Sequence, residues 1–468
     1  MTPKARLAGG IVAILGMAAT QAAPIHQPPG AMLTHGGAAP PELAIATTGN
    51  PATASIGERR LRMGILSNLG IGIEIGDSDD FVGRIDGLVD QLDALSAMLE
   101  TLEAQGATAD DDDINQLIVD LQALEAEGNA TIADLTDRSY AKFSAAASAP
   151  LAPLTIRSDT LRGVISLNLD AYVEGRAAVS SAGDAFTFGL DGVTDYNDII
   201  YDAGRGVFVN DATGQEINPD ANDEAGLAVQ GGIVRRLSAG YARALSKRRS
   251  GTLHAGATLN FYRVTLARSG RLINQDGTAD AAVDEFDENQ LTSSGMGVDL
   301  GLIWVAHRYS AGATLRNINE PSFDYPDVCG NGSSEACAFY TFNPQAARNG
   351  SSWTMERQLT LEASVYTQNR RWVAGLLMDA NEAVDTTGDA YQWLAVSASY
   401  LPARAWIPSP RVGYRRNLTG EELNYVSAGA TLFRAVHIDV SQALEKTTYD
   451  GYVSPRALQA NLGVDLQF

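Results

Sequence analysis

The sequence predicts an all-β transmembrane barrel of about 14 antiparallel strands (range about 12–16), with an α-helical hairpin inserted after the first strand and a plug-like segment ahead of it. Three observations predict it. From residue 160 onward, apolar and polar residues alternate with period two in runs near ten residues. Soluble strands average about five or six residues, whereas a tilted membrane crossing takes about 9–11. The polar face carries ionised groups in mid-strand (Asp170, Asp299, Glu362, Asp439 and Asp465). These suit a wet lumen whose outer, apolar face meets lipid. The chain also opens with an export signal.

Composition removes the competing classes. Of 468 residues, 45% are hydrophobic and 19% charged, enough apolar material for a core or an outer band. Lys and Arg number 34 against 56 Asp and Glu, a net charge of −22. Such a chain repels phosphate backbones, which excludes a nucleic-acid partner held by bulk electrostatics. The only long apolar run lies in the first twenty residues, which excludes a polytopic helical membrane protein. Two cysteines exclude a disulfide-dense scaffold.

Residues 1–22 read as a signal peptide: Lys4 and Arg6, an apolar stretch from Leu7 to Ala19, then Thr20-Gln21-Ala22-Ala23. Cleavage after Ala22 keeps Pro24 away from the scissile bond. Residues 23–60, rich in Ala, Gly, Pro and Thr, form the irregular, plug-like segment. Residues 61–78 hold the first strand, with Leu69, Ile71, Ile73 and Ile75 on one face.

Residues 79–150 form an acidic helical hairpin. Ile85, Leu88, Val89, Leu92, Leu95, Leu99 and Leu102 make one helical stripe. After Gly106, Asp110–Asp113 open a second helix at the end that favours negative charge. Its stripe is Ile114, Leu117, Ile118, Leu121 and Leu124, and Pro150 and Pro153 close the unit. A single apolar stripe needs burial somewhere: in a coiled coil with another chain, as a plug inside the lumen, or, most simply, in a self-packed antiparallel pair resting on the barrel mouth.

Residues 151–468 complete the barrel, with longer polar segments at 203–224, 268–293, 317–354 and 444–456. The five Trp (304, 353, 372, 393 and 406) fall mostly near strand ends, the level of an aromatic girdle. The final run is the cleanest: Leu458, Ala460, Leu462, Val464, Leu466 and Phe468 alternate with Gln459, Asn461, Gly463, Asp465 and Gln467. It resembles the terminal strand of bacterial outer-membrane proteins. That resemblance implies that Leu462, Val464, Leu466 and Phe468 form a signal read by the barrel assembly machinery.

The order of features resembles a known family. Asn50-Pro51-Ala52, then "LSNLGIGIEIGDSDDFVGRIDGLVDQLDAL" over Leu66–Leu95, then a late barrel ending in Phe is similar to the exported "conjugal transfer protein TraF" family of predicted outer-membrane barrels. That family is itself distantly similar to FadL-type channels for hydrophobic compounds. The thioredoxin-like conjugation protein of the same name is different, and this chain has no Cys-x-x-Cys. The resemblance implies a non-enzymatic protein in the outer membrane of a Gram-negative bacterium, surrounded by lipid. It implies a role in conjugative plasmid transfer, with conjugation-system proteins meeting the 79–147 hairpin. The alternative is a FadL-like channel that binds a hydrophobic ligand.

Residues capable of chemistry read mostly as structure. Cys329 and Cys337, in "CGNGSSEAC" of an exported chain, are expected to form a loop-closing disulfide. Asp110–Asp113 and the acids of 274–289 lack the order of a calcium loop and read as solvated surface. Gly70, Gly72 and Gly76 lack dinucleotide spacing and read as strand glycines. His437 and Ser441 share a strand face, where a rim hydrolase would place a pair, but ladder residues in a lumen explain them equally well. No cofactor or metal is expected.

Overall fold

The first strand pairs with the last, and the sheet therefore has no free edge. The computed structural model describes residues 28, 30–35, 45–57, 59–77, 81–181, 186–218, 225–272, 285–330, 334–449 and 452–467. The expected signal peptide and Phe468 lie outside the described residues, as does most of the 274–289 acid cluster. The wall strands are β1 (Leu61–Ile75), β2 (Tyr140–Ser148), β3 (Leu154–Ser158), β4 (Gly163–Ser180), β5 (Gly226–Arg248), β6 (Gly251–Leu272), β7 (Gln290–Val305) and β8 (Tyr309–Arg316). They continue as β9 (Gln358–Tyr366), β10 (Trp372–Asp379), β11 (Trp393–Tyr400), β12 (Ser409–Asn417), β13 (Asn424–Leu432), β14 (Val436–Ala443) and β15 (Ala457–Gln467). Apart from β2 and β3, which share one wall position, each pairs antiparallel with its chain neighbours in a simple meander.

Fifteen segments occupy fourteen wall positions. β1 pairs with β2 from Leu69 to Ile75 and with β3 from Leu61 to Met63, and β4 pairs with both. β2 and β3 are thus two halves of one wall strand, interrupted at 149–153. Pro153 lies in that interruption and has no N–H to give to a ladder.

Burial decides which side meets lipid. In β15, Leu458 and Leu462 are 49% and 40% exposed, while Gln459, Asn461 and Asp465 are at most 4% exposed. The same inversion holds at Ile71 and Ile73 of β1, Leu300 and Leu302 of β7, and Ile438 and Val440 of β14. A soluble sheet hides its apolar face. This one hides its polar face and turns a continuous apolar belt outward, an arrangement stable only in lipid. Trp372 and Trp406 are outward and exposed, and Trp304 is half-buried, all three at one end of the barrel. Trp353 and Trp393 depart from the expected girdle. Both are buried, one in a loop cluster and one facing inward.

The connections differ sharply between the two ends. At the end where β15 finishes, turns are short, such as 249–250, 306–308 and 433–435. The opposite end carries 76–139, 181–225, 273–289, 317–357, 380–392 and 444–456. β5 and β6 run 23 and 22 residues, twice the expected length, because their upper halves continue beyond the belt as support for these loops.

The hairpin comprises α1 (Phe81–Gln105) and α2 (Asp111–Arg138). It ends at Arg138, not near 150. Residues 140–148 are barrel wall, with Tyr140, Lys142, Ser144 and Ser148 buried at every second position or a multiple of it. Three consecutive alanines, 145–147, mask that alternation in the sequence. The Asp110 side chain caps α2 by accepting from Asp112 N at 2.9 Å, and three more acids fill the first turn. Leu99, Leu102, Leu117, Ile118, Leu121 and Leu124 pack with Phe186, Phe188, Phe208 and Ile217 of the 186–217 segment. From Leu95 onward, the apolar stripe is therefore covered by the protein's own loop.

Candidate functional site: the closed lumen

The N-terminal segment enters the lumen at the short-turn end. Its turn Met32–His35 meets β11–β14, and its turn Pro51–Ser55 meets β4–β7 on the other side. Asn50 organises the second turn. Its side chain accepts from Ala52 N at 3.0 Å, and Pro51 supplies the helical φ at the first position. The same side chain donates to Leu302 O at 3.3 Å and to the Glu362 carboxylate. Arg316 holds Gly49 O at 3.1 Å, and Ser55 pairs with His254 Nδ1 at 2.7 Å.

Glycines in the wall make room for this backbone. A Cβ on Gly413 would lie 2.1 Å from Thr34 O, and one on Gly256 would lie 2.6 Å from the Pro51 carbonyl carbon. No side chain fits at either place. Above the first turn, the Thr34 hydroxyl donates to Asp439, which also accepts from Arg411 Nε at 2.7 Å. Arg411 donates to Thr431 at 2.6 Å, and Thr431 contacts His437 Nδ1 at 2.9 Å. Burial, reinforced by Arg411 and His437, pushes His35 down to about 3.

The five mid-strand acids expected to line a wet lumen are each close to a polar partner. Asp170 takes Arg236 Nε at 2.9 Å, Asp299 takes Asn260 at 2.7 Å, and Asp465 lies 3.6 Å from His437 Nε2. Glu362 and Asp439 hold the plug. Where Thr47 and Pro51 face Ser166, Arg236 and Asp299, a polar cavity of about 20 Å³ remains, room for a water molecule.

A second closure lies at the long-loop end. Lys142, on β2, is 2% exposed and donates to Asp385, to Asp389 at 2.9 Å and to the Tyr391 hydroxyl at 2.7 Å. These partners belong to the 380–392 connection. Beside it, Glu74 accepts from Tyr140 at 2.6 Å and Tyr425 at 3.0 Å, and Arg415 lies between Trp393 and Tyr425 at 4.5 and 4.7 Å. The inward face here is not wholly polar, contrary to the sequence reading. Tyr172, Tyr262, Val264 and Leu266 face inward, but Phe323, Trp353 and Met355 of the 317–357 loop fill the space.

His437 and Ser441 do not behave as a pair. Ser441 accepts from Ser427 at 2.9 Å, and the described contacts of His437 are with Thr431 and Asp465. Cys329 and Cys337 are disulfide-bonded, with Cα atoms 4.8 Å apart, across the N-terminus of α3 (Glu335–Phe342). Leu462, Val464 and Leu466 sit on the outer side of β15. No periodicity or motif marks Lys142, Arg411, Asp385 or Asp389 in the sequence. Their partners lie up to hundreds of residues away, and only the unusual placing of acids in mid-strand pointed inward.

A family model described as "F plasmid transfer operon, TraF, protein" matches residues 47–379. The chain belongs to this family. The matched span runs from the second plug turn to the end of β10 and includes the hairpin and Lys142. Among curated proteins, none matches the chain in sequence. Among solved structures, the chain is similar to the CymD monoaromatic hydrocarbon channel, at 11% identity over 96% of this chain and 99% of that one, TM-score 0.43. It is similar to the Pseudomonas putida toluene transporter TodX, at 13% identity over 90% and 92%, TM-score 0.36. A Pseudomonas aeruginosa FadL homologue matches at 11% identity over 96% and 98%, TM-score 0.36.

Proposed function

We propose that this TraF-family chain serves conjugative transfer as a closed barrel in the outer membrane of a Gram-negative bacterium, presenting its helical hairpin to a partner protein of the transfer apparatus. One observation supports this reading above others: the lumen is filled from both ends, while the hairpin rides on the 186–217 segment with its stripe covered from Leu95 onward. What the hairpin leaves open is charge. Residues 81–138 carry fourteen acids against Arg84 and Arg138 alone. A basic protein surface is the matching partner. In outer-membrane barrels short turns face the periplasm and long loops the exterior, so the hairpin belongs outside the cell. The outer side of β15, with Leu462, Val464 and Leu466, is the face offered to the assembly machinery, and Phe468 follows it in the sequence.

The test is mating frequency. An in-frame deletion of the gene should lower transfer, and so should trimming residues 81–138 while the barrel still reaches the outer membrane. Unchanged mating in both strains would refute the role.

A second reading, a channel for hydrophobic small molecules, is favoured by the apolar cluster around Tyr262 and Leu266. It requires the 317–357 loop to vacate that space. It predicts that an apolar compound speeds hydrogen exchange in the Phe323 and Trp353 segments as the loop is displaced, and the first reading predicts no change.

A further inference from the structure

The 380–392 connection crosses the barrel. It leaves the wall between β10 and β11 and makes its ion pairs on β2 and β4, half-way round the fourteen positions. Its turn is Asp385-Thr386-Thr387-Gly388-Asp389, and both threonines and Asp385 are fully buried. The turn is internally braced: Asp385 accepts from Thr387 N at 2.8 Å and from Asp389 N at 3.1 Å. It is also tied to the far wall. Thr386 donates to Glu174 of β4 at 3.1 Å, and Arg176 of the same strand lies 3.6 Å from Asp389. Arg348, from the neighbouring loop, meets Asp389 at 2.9 Å. A turn that only capped the barrel would be solvated. This one places two carboxylates inside, where burial costs several kcal/mol per ion unless each is paired.

We infer that the 380–392 connection is a gate across the lumen, latched by Lys142 and lying in series with the N-terminal plug. The plug occupies the short-turn half, and the gate the long-loop half. Passage of any solute therefore requires two independent displacements. Burial opposes the charge on Asp389, but Lys142, Arg176 and Arg348 outweigh it and hold the carboxyl below its ordinary range. The Asp389 carboxylate thus stays ionised in mild acid, and the trigger must compete for these charges or draw away the Arg348 loop. The inference is independent of the conjugation role, since it concerns the barrel alone.

Thiol accessibility tests it in the full chain, in outer membranes. Thr386→Cys should resist a membrane-impermeant maleimide while Lys142 is present. Adding Lys142→Met should raise its labelling at least tenfold, with the barrel still heat-modifiable. Asp385→Asn with Asp389→Asn should do the same, and it serves if the Lys142 variant does not fold. A cross-link gives a separate reading. A Cβ on Gly232 of β5 would lie 3.4 Å from Thr386 Cβ but 2.6 Å from Leu266 Cδ2, so Gly232→Cys with Thr386→Cys, with Leu266→Ala to clear that contact, should oxidise readily. Equal labelling with the latch intact, protection that persists in both folded latch variants, or failure to cross-link would each overturn the gate.

Discussion

Gly413 and His35 show how single residues seat the plug. At Gly413 the wall approaches Thr34 O too closely for any Cβ. Gly413→Val should cost roughly 1–3 kcal/mol of plug docking, the usual range for overpacking. Hydrogen exchange of residues 30–35 should quicken accordingly, while wall strands stay protected. His35 makes docking depend on pH. Its value in the folded protein, about 3, lies below the ordinary 6.5, so the undocked segment binds the proton first. Docking is at full strength above about pH 6.5 and weakens as pH falls toward 3, by up to about 1.4 kcal/mol per pH unit. The charges that face the ring, Arg411 and His437, both oppose its protonation, and the nearby Asp439 carboxylate is engaged by Arg411. Exchange of the plug, corrected for intrinsic rate, should rise between pH 7 and 5, and His35→Gln should flatten that rise. At this scale little was legible. Asp439 and Glu362 were conspicuous as acids in mid-strand, but Thr34, Asn50 and Arg411 carry no periodic signal that links them.

The elements were more legible, because period-two burial needs only local residues. β15, β14 and β7 follow the outward apolar pattern read from the chain. Two departures have physical reasons. β2 hid behind Ala145–Ala147, where outward and inward positions carry the same small side chain. In the upper half of β5, the five residues from Ala228 to Gly232 are all buried, so alternation fades where loops cover both faces. The hairpin stripe was clear, but its burial partner was not, since Phe186 and Phe208 sit in a segment without periodicity. Leu121, fully buried in that cluster, offers a test. Leu121→Ala should destabilise the hairpin locally by about 2–5 kcal/mol and leave the wall unchanged. Exchange should rise in residues 95–135 and 186–217 only. A rise throughout the wall would show that the hairpin is part of the barrel's own stability.

At the scale of the molecule, the apolar belt and the filled lumen belong together. A wall that turns leucine outward must place its polar residues inside, and buried polar residues need partners. The plug, the 380–392 turn and the inward arginines supply them. The closed state is thus the way this sequence satisfies its own interior. The sequence reading anticipated a barrel with a wet lumen, since alternation reports which face is polar but not what fills the space. The whole architecture rests on a belt that faces lipid and a first strand that closes on the last. Gel mobility of the protein from an outer-membrane fraction, with and without boiling in SDS, tests it most directly. A faster, compact band before boiling that shifts after it is the predicted result. A single band unaffected by heat, from protein found soluble in the periplasm, would contradict the barrel and everything built upon it.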